Sequence, residues 1–169
     1  MGPQGEIVLA DGMPPEFTQK ELRDALGRFA TGVTVVTAVG PRGPLGITAN
    51  SFASLSLDPP LVLWSPARRS SRFPVFEAAS HFAVHVLARD QQDLAAHFAA
   101  LGDMPADRAV EPGLGGVPLF HGCAARFECR HAARFDGGDH LICVGEVLRF
   151  AASDAAPLVF HRGAYGGLA

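Results

Sequence analysis

The sequence predicts a mainly β protein with a few short helices, folded as a closed or partly closed antiparallel barrel. Three observations carry this. Apolar residues alternate over short runs bounded by Gly and Pro, which is the signature of strands and tight turns. The strand runs do not alternate regularly with helices, which disfavours a doubly wound parallel sheet. Closing such a sheet on itself removes most exposed strand edges. The 169 residues suit one domain, read here as 16–169 after a leader over 1–15 that ends at Pro14-Pro15.

The elements follow in order. Thr18-Gln-Lys-Glu21 spells a capping box, and Leu22, Leu26 and Phe29 recur at helical spacing. Residues 18–30 therefore read as an amphipathic helix, with Gly32 as its stop. "VTVVTAV" (33–39) is β-branched and alternating, a strand; "GPRGP" (40–44) is a turn; "LGITANSFASLSL" continues as a second strand. Pro59-Pro60 cannot donate to a ladder, so that strand ends there and "LVLWS" is the third. "FPVFEAAS" fits a short helix with Pro74 near its first turn. "FAVHVLA" (82–88) is a fourth strand, and Asp90 caps a helix over "QQDLAAHFAAL" with Leu94 and Phe98 on one side. Residues 102–122 are rich in Gly and Pro and read as a long excursion. In "CAARFECRHA", Cys123, Ala125, Phe127 and Cys129 face one way and Ala124, Arg126, Glu128 and Arg130 the other, a half-exposed strand. "DGGD" (136–139) turns into "HLICVGEVLRF", and "PLVFHRG" supplies a last strand.

Composition narrows the function. Hydrophobic residues make up 48% and charged ones 18%, enough for a packed core. A net charge of −3 argues against nucleic acid as a partner. No run approaches a membrane span, and the first residues lack the basic and apolar parts of a secretory signal. Cys123, Cys129 and Cys143 are odd in number and lack CxxC spacing, so small buried thiols in a reducing cytoplasm are expected rather than disulfides or zinc. The seven histidines show no metal-ligand spacing, so no metal is expected. No GxGxxG opens a helix after a strand, and no Walker A lysine is present.

Three stretches could carry chemistry. Thr48, Asn50, Ser51, Ser54 and Ser56 crowd hydroxyls and an amide into an apolar strand. They form either a solvated polar face or a strand end that presents side chains and N–H groups to a ligand. "SPARRSSR" (65–72) is either a basic turn capped by serine or an anion site at a helix start, with Arg68, Arg69 and Arg72 beside Ser70 and Ser71. "GGDHLICVGEV" is either a hairpin turn with an exposed histidine or a turn in which Asp139 fixes the tautomer of His140.

Taken in series, "TGVTVVTA…GITANSFASLSLDPPLVLWSPARRSSR…FAVHVL…GGDHLICVGEV…PLVFHRGAYG" resembles the flavin reductase family over about Leu22 to Gly167. That resemblance implies a split β-barrel of antiparallel Greek-key type, a homodimer, bound FMN or FAD, and NADH or NADPH as reductant for a partner flavin-dependent monooxygenase. It implies that Thr48, Ala49, Asn50 and Ser51 line the flavin ring edge and ribityl chain, with Ser54 and Ser65 close by. Ser70 and Ser71 would take the phosphate, helped by Arg68 or Arg72. Gly138, Asp139 and His140 would face the docked nicotinamide, with His140 the catalytic candidate, and His161, Arg162 and Tyr165 would close that side. The loop after Phe98 would reach the partner subunit. Two positions depart from the family pattern: His85 replaces an Asn common in relatives, and Ala109 stands where many carry an aromatic. A flavin-binding protein without NADH turnover, or an FMN-dependent amine oxidase of related barrel type, are the alternatives; the latter needs a second cationic phosphate pocket that the sequence does not offer.

Overall fold

In a computed structural model of the chain, residues 16–168 are described; the leader expected over 1–15 lies outside them. In chain order the elements are α1 (Gln19–Leu26), β1 (Thr31–Gly32), β2 (Thr34–Gly40), β3 (Gly43–Ala49), β4 (Ala53–Leu57), β5 (Pro60–Trp64), α2 (Phe73–Ala78), β6 (His81–Val86) and α3 (Gln92–Ala100). Then come β7 (Val110–Pro112), β8 (Pro118–Phe120), β9 (Ala125–Gly137), β10 (His140–Ala152), β11 (Val159–His161) and β12 (Ala164–Gly166). Seven strands form one antiparallel sheet in the order β3-β2-β6-β9-β10-β5-β4.

The two edge strands of that sheet, β3 and β4, are consecutive in the chain and joined only by residues 50–52. In a flat sheet six strand spacings would separate them by about 29 Å. The linking residues can span at most about 14 Å. The sheet must therefore curl until its edges approach. A side chain fastens the approach: the Ser65 N–H, just past β5, donates to Ser51 Oγ at 2.9 Å, and that hydroxyl lies 3.3 Å from the Ser65 carbonyl. The expected single strand over 45–57 is thus two strands on opposite edges. The break falls at Asn50, a residue type disfavoured in strands.

Burial on both faces of β2 explains its β-branched run. Val36 and Ala38 join Trp64, Phe76, Phe82 and Cys143 in one cluster, whereas Val33 and Val35 join Leu87, Leu94, Phe98 and Leu158 in another. Helix α3 covers the second cluster. Its Phe98 ring lies so close over Gly46 that a Cβ there would come within 2.6 Å of it. Small strands complete the fold: β7 pairs with β8, and β11 and β12 form a hairpin that pairs with β1.

Several expectations change. The capping box forms as read, with the Thr18 N–H donating to Glu21 Oε2 at 2.8 Å and the Glu21 N–H to Thr18 Oγ1 at 3.2 Å. The helix nevertheless ends at Gly27, whose carbonyl accepts the Arg162 N–H at 2.9 Å, and Gly32 lies in β1. Asp90 does not cap α3; the N-cap position is Gln91, whose side chain makes no cap bond and instead accepts the Ala88 N–H in the preceding turn and donates to the His121 carbonyl. The excursion over 102–122 contains the β7–β8 hairpin, and "PLVFHRG" leads into two strands rather than one. Glu128, expected on the solvated face of β9, is 1% exposed because the β7–β8 hairpin covers it. Its Oε2 accepts the Leu114 N–H at 2.8 Å. All three cysteines are free; Cys129 and Cys143 are buried, and Cys123 is half-buried.

Candidate functional site

The sequence motifs, far apart in the chain, meet along the curled edge. Residues 65–72 follow β5 and run beside the β9–β10 turn. The Arg68 N–H donates to the Asp139 carbonyl at 2.9 Å, the Leu141 N–H to the Pro66 carbonyl at 3.1 Å, and Ala67 bridges His140. Ser51 ties the same loop to the crossing between β3 and β4 through Ser65. Beyond that crossing, Thr48, Ala49 and Asn50 share a small cleft of about 140 Å³ with Val33, Phe160 and Tyr165. The strip therefore runs from Tyr165 through 48–51 and Ser65 to the 138–140 turn.

The turn is shaped by Gly138, whose φ of 74° favours glycine. Asp139 Oδ1 lies 2.7 Å from His140 Nδ1. That contact places the proton on Nδ1 when the ring is neutral and leaves Nε2 as the outward-facing nitrogen. The hydrogen bond from His140, then its charge, hold the Asp139 carboxyl below the usual carboxylate value.

The hydroxyls divide into committed and uncommitted groups. Thr48 Oγ1 donates to the Ala95 carbonyl at 2.7 Å, so it pins β3 to α3. Ser51 is committed to Ser65. Ser70 Oγ accepts the Arg72 N–H at 3.3 Å. Asn50 and Ser71 are exposed and make no hydrogen bond through their side chains among the described residues. Ser54 is exposed on β4, opposite Val62.

The arginines divide likewise. Arg68 is spent on the turn: its Nε donates to the Gly138 carbonyl at 3.2 Å and its Nη2 to Asp136 Oδ1 at 2.6 Å. Arg72 Nη1 donates to the carbonyls of Gly46, Phe98 and Leu101, at 3.1, 2.7 and 2.7 Å. It forms no ion pair among the described residues, and desolvation lowers its pKa. A part-buried guanidinium held by neutral carbonyls retains an unbalanced charge and unused donors on Nε and Nη2. With Ser71 it lines a cleft of about 390 Å³ between the β2–β3 turn and the end of α3. Arg69 is exposed and makes no hydrogen bond among the described residues.

The C-terminal residues part company. Tyr165 packs on Phe160 at 5.4 Å beside 48–50. His161 is exposed on β11, and Arg162, at φ 51°, forms the β11–β12 turn against α1. Neither makes a hydrogen bond to the 138–140 turn among the described residues. Sequence reasoning missed Asp136 and Phe160. Asp136 immediately precedes the glycine pair, but nothing in the pattern says that it meets Arg68. Among the described residues no cluster of three or more His, Cys, Asp or Glu could hold a metal.

Such a strip holds no nucleophile–base pair and no carboxylate dyad, but it offers unused donors and a tautomer-fixed histidine. Such an arrangement suits a protein whose reactive group is a bound cofactor. The chain belongs to the flavin reductase family: residues 26–169 match the family described as "Flavin reductase like domain", as the sequence resemblance implied. It is 56% identical to an FMN reductase (NADH), SmoA, of Agrobacterium fabrum, over 95% of this chain and 96% of that protein. It is 46% identical to the reductase component of a flavin-dependent trigonelline monooxygenase of Acinetobacter baylyi, over 86% of this chain and 48% of that protein, so it spans about half the length of that relative. Among solved structures, the Streptomyces globisporus NADH:FAD oxidoreductase SgcE6, in complex with NAD and FAD fragments, is similar with a TM-score of 0.83 and 37% identity, over 95% of this chain and 98% of that one.

Proposed function

We propose that this protein is an NADH-dependent flavin reductase that supplies reduced FMN or FAD to a partner monooxygenase. Flavin, when bound, supplies the N5 acceptor for the hydride of nicotinamide C4. The protein's part is to orient and to solvate, which explains why no triad is needed. The observation that carries this reading is the meeting of the 65–72 loop, the 48–51 crossing and the 138–140 turn along one edge of a curled sheet.

The residues fit such a cofactor. Ser71 and the unused Arg72 donors supply a phosphate site, with Ser70 shaping the loop backbone and Arg69 adding positive charge. Ala49, Asn50 and the backbone N–H groups of the crossing face the ring edge and ribityl chain, where donors stabilise the negative charge of the reduced cofactor. Thr48 and Ser51 hold that crossing in place. His140 presents Nε2 toward the nicotinamide amide and positions it. Tyr165 closes the far end.

The curl is read as the split barrel of the family. The protein is a homodimer in this proposal, because large apolar side chains stand largely exposed: Phe29 is 78%, Phe150 69% and Leu57 95% exposed. No helix among the described residues is long and apolar enough to cross a membrane, and a cytoplasmic location, as the cysteine usage implies, completes the proposal.

The test mixes purified protein with NADH and free FMN, FAD or riboflavin and follows NADH absorbance. Flavin-dependent NADH loss is expected. No loss with any flavin, and none with NADPH, would overturn the reading.

A further inference from the structure

The resemblance implies Arg68 or Arg72 at the phosphate, and the Arg68 guanidinium already has partners within the chain. Its guanidinium straddles the β9–β10 turn, with Nε on the Gly138 carbonyl at 3.2 Å and Nη2 on Asp136 Oδ1 at 2.6 Å. Its backbone N–H reaches the Asp139 carbonyl at 2.9 Å. The guanidinium carbon also lies 5.5 Å above the Phe73 ring, at the first residue of α2. Arg68 thus fastens the turn, the 65–72 loop and α2 to one another. Asp136 already balances the charge of this guanidinium, whose Nη1 alone makes no hydrogen bond among the described residues. Arg72 has no carboxylate partner among the described residues.

We propose that Arg68 is a positioning residue for the nicotinamide side: it holds the Gly138–Asp139–His140 turn in register with the flavin loop, and Asp136 is its anchor. This rests on the reductase reading above. The planar fork is essential, because Nε and Nη2 must reach a carbonyl and a carboxylate on either side of a glycine turn. A lysine keeps the charge and loses the second contact. Without the clamp, Gly138 leaves the turn free to sample other conformations, and His140 meets the nicotinamide less often. The defect belongs to nicotinamide engagement, whatever flavin is present.

The experiment compares wild type with Arg68→Gln, Arg68→Lys, Asp136→Asn and the Arg68→Gln/Asp136→Asn double variant. KM and kcat for NADH are measured with FMN and with riboflavin, and flavin affinity is measured separately. Arg68→Gln should raise the NADH KM about fivefold, the loss expected of one charge-assisted contact at a half-exposed site. The rise should be the same with both flavins, with flavin affinity unchanged. Arg68→Lys should resemble Arg68→Gln, Asp136→Asn should give a smaller rise, and the double variant should match Arg68→Gln, because the pair acts as a unit. Loss of FMN affinity with riboflavin affinity spared would make Arg68 a phosphate ligand and overturn the proposal, as would an unchanged NADH KM. Amide exchange over 138–141 reads the clamp without turnover. Faster exchange in Arg68→Gln is expected, and unchanged exchange overturns the clamp even if the protein reduces flavin. The wild-type assay judges the reductase reading by itself.

Discussion

Two regions of this molecule hold polar groups in apolar surroundings, and they treat them differently. Beneath the β7–β8 hairpin every one is consumed. His85 is fully buried, its Nδ1 donating to the Val35 carbonyl at 3.0 Å while Nε2 accepts the Phe120 N–H at 3.2 Å. Thr37 donates to the Pro118 carbonyl at 2.7 Å, and Glu128 accepts the Leu114 N–H. Along the 65–72 loop, by contrast, Ser71, Arg69 and part of Arg72 have no protein partner among the described residues. The polar groups beneath the hairpin are saturated by the fold, whereas the loop keeps capacity that a ligand could use.

The largest test of that contrast is His85→Ala. It removes two buried side-chain hydrogen bonds, leaves the Phe120 N–H unsatisfied, and opens a cavity. A loss of about 3 kcal/mol in urea unfolding is expected, with flavin affinity of the folded protein unchanged. A loss below about 1 kcal/mol would mean that the hairpin is not held from beneath.

Acid gives an effect of comparable size. Burial pulls the His85 pKa down to about 4; the Val35 hydrogen bond opposes this and the Arg126 charge adds to it. The folded value lies below the unfolded one, so between these values the unfolded chain binds more protons. Stability is therefore full above about pH 6.5 and is lost as pH falls toward 4, by up to about 3 kcal/mol. Burial also lowers His131 to about 4, so it acts in the same window. Melting temperature against pH should fall over this interval, and His85→Asn, which cannot take up the proton, should fall less steeply. Parallel curves would remove His85 from the account.

The contrast also explains what was legible beforehand. Local chemistry could be read: the capping box at Thr18, the β-branched run of β2, and the Gly138 turn all follow from near neighbours. Long-range assignments could not. Glu128 alternates with apolar residues as a solvated carboxylate would, and only a hairpin built from residues called an excursion buries it. Asn50 signalled an interruption, but not that the chain there crosses from one edge of the sheet to the other. Residue types also allowed 65–72 to be either a basic turn or an anion site, and did not say which arginine the fold spends. Arg68 and Arg72 look alike in sequence and differ only in whether a carboxylate, Asp136, comes within reach.

The remaining test separates a ligand site from a structural one within a single loop. Ser70 and Ser71 adjoin a six-residue helix whose N-cap residue, Arg72, makes no side-chain cap, and their hydroxyls make only the long Ser70 contact to the Arg72 N–H, 3.3 Å, among the described residues. Removing both hydroxyls should therefore change folding stability by no more than about 0.5 kcal/mol. If they meet a phosphate, Ser70→Ala with Ser71→Ala should weaken FMN about tenfold, the loss of a charge-assisted hydrogen bond or two. Riboflavin has no phosphate, so its affinity should hold. Titrating both flavins against both proteins reads the difference directly. Equal losses for the two ligands would place the hydroxyls at the ring or the ribityl chain. A fall in stability with no change in either affinity would make the loop like the region beneath the hairpin, and the contrast between the two would disappear.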